Sequence, residues 1–98
     1  MLHDAELVGA IQSKRVIHFI YTNKSRVAHP YVLGIDGDGD TTLIAWEVSS
    51  GPGTALPRWK RYHVAKLSSL SIGLERFERV QPDYSGAPKD IVRVLAKV

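Results

Sequence analysis

Cysteine is absent from these 98 residues. That excludes disulfides, thiolate metal sites and a cysteine nucleophile, and it suits a reducing compartment. Also missing is any uninterrupted apolar run approaching the ~20 residues that span a bilayer. The opening MLHDAELVGAIQSKR carries acids too early for a secretory signal, so the expected location is the cytoplasm, with no membrane partner. No internal repeat or low-complexity tract is present. Catalytic signatures are missing too. No serine lies in a G-x-S-x-G elbow, and the GPG at 51–53 is not followed by Lys-Ser/Thr at a helix start. The histidines (His3, His18, His29, His63) show no H-E-x-x-H spacing, and no carboxylate pair flanks a nucleophile. His18 and His29 fall opposite each other across the expected first hairpin, where satisfied sheet-face histidines are commoner than metal ligands. These absences predict a non-enzymatic protein without metal or cofactor.

What is present is an ordinary globular composition, 44% hydrophobic and 23% charged, with room for one domain and one modest core. The net charge of +3 permits an anionic partner without demanding one.

Periodicity predicts a helix over 4–15, with Leu7, Ala10 and Ile11 on one face and acids in its first turn. The period then changes. Residues 16–22 are β-branched and aromatic, alternating Ile17, Phe19 and Tyr21 onto one side. Further strands are expected over 26–35, with Pro30 at an edge or bulge, and over 41–48, 58–64 and 67–72. A loop is expected over 49–57. After the connector QPDYSGAP, Pro88 opens an expected amphipathic helix with Ile91, Val94, Leu95 and Val98 on one face. The fold class is thus mainly β with terminal helices, a small five-stranded barrel or strongly bent sheet. Residues 1–82 form the β-domain with its N-terminal helix, and 83–98 the connector and C-terminal helix. The expected core comprises Leu7, Ile11, Ile17, Phe19, Tyr21, Ile44, Trp46 and Ile72. The apolar stripe of the tail suggests a homodimer.

Between two of these strands lies DGDGDTTLIAWE (36–47), which approaches the calcium loop D-x-[DN]-x-[DN]-G-x₅-E. An EF-hand needs helices on both sides and glycine sixth. Here Thr41 is sixth, and the flanks read as strands. Strand rise puts Glu47 roughly 20 Å from Asp40. DGDGD is therefore read as a glycine-rich hairpin turn with solvated carboxylates.

RWKRYH (58–63) carries three cations, two aromatics and a histidine. Cations interleaved with aromatics neutralise phosphates and stack bases. The same pattern describes an edge strand guarded by charge, with Trp59 or Tyr62 turned into the core.

Taken together, the helix ending before IHFIY, the spacing of Arg26 and Pro30, the apolar LIAW strand, the block Tyr62–Leu67 and Phe77 resemble a WYL domain over roughly residues 7–77. The resemblance implies an Sm-like small barrel acting as a ligand-sensing or regulatory module in bacterial transcription or defence. Its ligand would be a nucleotide, single-stranded nucleic acid or another anion. It implicates Arg26, His63 and Lys66 as the ligand-binding cations, with Tyr62 beside them. If so, Arg61 joins them on one solvent-open patch. Members are often fused to a helix-turn-helix domain, for which this chain has no room, so it is expected to act alone or through a DNA-binding partner protein. The family's Trp-Tyr is replaced by Thr41-Thr42, and two of its arginines by His63 and Lys66, losing a bidentate fork at each. Those departures keep a second function class open: a protein-interaction or oligomerisation module whose ligand site has degenerated.

Overall fold

In a computed structural model, which describes residues 3–49 and 57–98, helix α1 (Asp4–Ser13) buries Leu7, Ala10 and Ile11. Their spacing puts all three on one face. The helix stops at Lys14, which adopts the left-handed conformation (φ 53°) and directs its N–H at the carbonyls of Ala10 and Ile11. The chain then enters β1 (Arg15–Tyr21). A two-residue turn follows, with Thr22 and Asn23 both at positive φ (50° and 63°), the twist that suits a tight hairpin.

The hairpin leads into β2 (Lys24–Asp36), the spine of the sheet. One edge of β2 pairs with β3 (Thr41–Ser49). The other edge serves two partners in succession, β1 along residues 24–28 and β6 (Ile91–Lys97) along 32–36. Pro30 falls between those two stretches, where no N–H is required, and the register against β3 shifts just after it. Outside these lie β4 (Arg58–His63) against β3 and β5 (Ser68–Arg76) against β1. A 3₁₀ turn at Val64–Lys66 joins β4 to β5. Among the described residues all pairings are antiparallel, and the six-stranded sheet is not closed.

Two expectations are corrected. The described strands number six rather than five, and the segment from Pro88 to Val98 holds a strand, not a helix. Ile91, Val92, Val94 and Val98 are β-branched and favour the extended chain, and β2 offers a vacant edge beyond Pro30. Gly34 makes the approach close enough. A Cβ there would come within 2.7 Å of the Arg93 carbonyl oxygen and collide with the Ile91 side chain. The tail's apolar residues are thus divided. Ile91 and Ala96 are buried, whereas Val92 and Val94 face outward. Of the stripe from which self-association was expected, Ile91, Leu95 and Val98 pack onto the chain's own fold and Val94 stays outside. The expected loop over 49–57 lies mostly outside the described residues.

Apolar side chains fill both faces. Under α1, Ile17, Phe19, Tyr21, Ala28, Leu33, Leu43, Ala45 and Tyr62 pack into the main core. On the opposite face Val16, Tyr31, Val32 and Phe77 are buried, with Ile44, Trp46, Trp59 and Tyr84 packed around them. The alternation in β3 therefore runs opposite to the expected core assignment. Leu43, Ala45 and Glu47 point to the main core, and Ile44 and Trp46 to the second face. A two-sided sheet offers an apolar destination to either phase.

Candidate functional site

The phase of β3 carries Glu47 into the main-core side, where it is 1% exposed. Arg26 enters the same layer from β2. Its Nη1 donates to Glu47 Oε1 at 2.8 Å, and its Nη2 to the Tyr21 carbonyl at 3.1 Å and Thr22 Oγ1 at 2.7 Å. The guanidinium also lies 5.6 Å from the centre of the Tyr21 ring. From β4, Arg58 Nε donates to Glu47 Oε2 at 3.0 Å. Burial alone would raise the Glu47 pKa, but the hydrogen bonds from the two guanidiniums outweigh it and hold the carboxyl below its ordinary range. Tyr62 is wholly buried between Phe19 and Tyr21, both ring centres 4.9 Å away. Among the described residues its hydroxyl makes no hydrogen bond of good geometry. Burial and the nearby Glu47 charge push its pKa far above the usual tyrosine value.

Strand parity separates the nominated residues. Arg26 and Tyr62 belong to the α1-covered side, Arg26 being 6% exposed. Arg61 and His63 alternate with Tyr62 on β4 and face the other side. Lys66 is exposed in the 3₁₀ turn, as is His63 at the end of β4. The single open patch expected of Arg26, Arg61, His63 and Lys66 does not form, because its main cation is committed inside the fold. RWKRYH is an outer strand, with Trp59 and Tyr62 turned to opposite apolar layers.

The second face holds an aromatic ladder. Tyr31 contacts the rings of Trp59 at 4.8 Å, Tyr84 at 4.9 Å and Phe77 at 5.2 Å. Trp46 packs on Trp59 at 5.2 Å, and His29 stacks on Phe77 at 4.7 Å with the planes 6° apart. The segment between β5 and β6 straps over this ladder. The Gln81 N–H donates to Tyr31 Oη at 2.9 Å, Trp59 Nε1 to Asp83 Oδ2 at 2.8 Å, and Tyr84 Oη to the Val98 backbone oxygen at 3.0 Å. Between strap and sheet opens a cavity of about 270 Å³, walled by Ile44, Trp59, Tyr84 and Pro88, with Asp83 and Ser85 as polar groups. Beside its wall residue Ile44 in the strand register, Arg61 forms a bidentate pair with Asp90, at 2.5 and 3.0 Å. Asp90, and more weakly Asp36, raise the Arg61 pKa, while Arg61 lowers that of Asp90. Asp83, Tyr84 and Asp90 carried no signal in the sequence, since their partners on β4 lie 24 to 29 residues away.

In the acidic turn, carboxylate oxygens of Asp36, Asp38 and Asp40 approach within 4.8 Å of one another. Asp36 Oδ1 accepts the N–H groups of Asp38 and Asp40, each at 3.0 Å, which is a turn-capping arrangement. Glu47 is held by the two arginines instead of reaching this turn. No helix among the described residues is long and apolar enough to cross a membrane. No protein-family model, curated protein or solved structure matches this chain.

Proposed function

We propose that this chain is a non-catalytic, WYL-like regulatory module, its sheet a partly open relative of the Sm-like barrel, that senses a nucleotide or the end of a single-stranded nucleic acid. The observation that supports this reading is the Trp59/Tyr84 cavity: concave, mainly apolar, with a few polar groups, and with the Arg61 guanidinium on the strand position opposite its wall residue Ile44. Relative to the patch implied by the resemblance, the site moves to the second face. Arg61 stays in it, Trp59 and Tyr84 supply the stacking surface, and Arg26 and Tyr62 become its structural support. His63 and Lys66 lie outside the cavity, and contribute charge along which an extended strand would lie.

The test is calorimetric titration with AMP, GMP, CMP and UMP, and with a short single-stranded oligonucleotide, at low and moderate salt. Micromolar to millimolar binding that weakens with salt and is lost in Tyr84→Ala is expected. Absence of binding by all five probes at low salt rejects the reading.

A second reading, an interaction module, draws support from Leu74, Val92 and Val94, which are 90%, 68% and 43% exposed on the outer strands β5 and β6. A light-scattering mass of one chain at high protein concentration would remove its homodimer form.

A further inference from the structure

The Arg61–Asp90 pair does not line the cavity but neighbours two residues that do. Arg61 is the cross-strand partner of Ile44, a wall residue, and Asp90 stands two positions after Pro88, another wall residue. Both side chains are about half exposed, at 42% and 52%. Their geometry is the fork-to-fork contact that a guanidinium makes with a carboxylate or a phosphate.

We propose that Asp90 is an internal stand-in for the ligand's anionic group. A nucleotide whose base enters the Trp59/Tyr84 cavity takes the Arg61 fork with its phosphate and displaces the Asp90 carboxylate. The proposal deepens the ligand-sensing reading above and depends on it. Three features carry it. An exposed ion pair contributes little net stability, so it exchanges readily. A phosphate offers the same fork more charge and three strong acceptors. Asp90 is also the last residue before β6. The Ile91 N–H bonds the Pro88 carbonyl at 3.1 Å, and the Ile91 side chain is buried at Gly34. Release of Asp90 is thus felt at the start of a strand held on one edge of β2. Ligand occupancy becomes a change in how firmly β6 is docked, which is a coupling of binding to conformation.

The consequence is a gain of affinity on deleting a charge beside the site. Wild type, Asp90→Asn and Arg61→Ala are titrated with AMP and with adenosine, and amide exchange in β6 is followed with and without AMP. Asp90→Asn is expected to bind AMP about five-fold or more tightly and adenosine unchanged. Arg61→Ala is expected to bring AMP down to the affinity of adenosine, and AMP to speed exchange at the start of β6 in wild type. If AMP binds wild type but Asp90→Asn leaves that affinity unchanged or lowers it, the stand-in is wrong and the cavity reading survives. Equal tightening for AMP and adenosine would mean simple opening of the cavity and also overturns displacement. If neither compound binds wild type or Asp90→Asn, both proposals fall.

Discussion

Arg26 and Glu47 meet in the interior, Nη1 to Oε1 at 2.8 Å, from strands β2 and β3 with 6% and 1% of their side chains exposed. The same guanidinium reaches the Tyr21 carbonyl and the Thr22 hydroxyl. It thereby ties the left-handed β1–β2 turn, in which a β-branched residue is disfavoured, to the middle of the sheet. The residue that the family resemblance nominated as an anion-binding fork is, in this chain, a clip between a hairpin and a buried acid.

Removing Arg26 leaves the buried Glu47 carboxylate with the half-exposed Arg58 as its only guanidinium. Arg26→Ala is expected to lower unfolding stability by about 3–5 kcal/mol, read from urea denaturation. Arg26→Met combined with Glu47→Leu should recover most of that loss, because a buried ion pair and an apolar pair of similar volume are often close in stability. A loss below about 1 kcal/mol in Arg26→Ala would mean that the pair is solvated in solution.

Stability should fall on acidification in two stages. Burial lowers the His29 pKa from 6.5, opposed by the nearby Glu75. The unfolded chain therefore takes up this proton first, and the penalty appears as pH drops below 6.5, with no effect above it. Glu47 is held below its ordinary 4.5 by its two arginines. Its contribution is fully present above 4.5 and is lost as pH descends through the lower folded-state value. Denaturation midpoints at pH 7.5, 5.5 and 3.5 would follow both stages. His29→Phe should flatten the upper stage and Glu47→Gln the lower. A midpoint that rises between pH 7.5 and 5.5 would contradict the assignment to His29.

Docking of β6 depends on Gly34. Gly34→Ala puts a methyl group against the Arg93 carbonyl and the Ile91 side chain. The backbone must move, so β6 amides are expected to exchange faster than those of β1 and β3, with a stability loss of about 1–3 kcal/mol. Uniform exchange across all strands would show that β6 detaches only on global unfolding.

The phase of β3 is open to a direct check. Leu43 is fully buried, and Leu43→Ala should cost about 2–5 kcal/mol. Val92, 68% exposed, should change stability by less than about 0.5 kcal/mol when truncated to alanine. Melting curves of the two variants would separate them.

Elements whose physics is local were legible in the residues alone. The 3.6-residue spacing of Leu7, Ala10 and Ile11, the alternation of Ile17, Phe19 and Tyr21, and the aspartate-glycine turn each describe a short stretch, and each is found in the fold. RWKRYH suited a charged outer strand and an anion-binding strand equally by pattern, and its place at the end of the sheet comes from the fold. Tertiary structure alone decided the rest. The last ten residues suit helix or strand by pattern, and the vacant edge of β2 beside Gly34 selects the strand. Ile44 and Leu43 are equally apolar, so only the position of α1 tells which of them enters the main core. Whether a cation is a ligand fork or a clip depends on what lies opposite. Arg26 is opposed by an acid 21 residues away and Arg61 by one 29 residues away, distances over which no sequence period runs and only the folded sheet makes a contact.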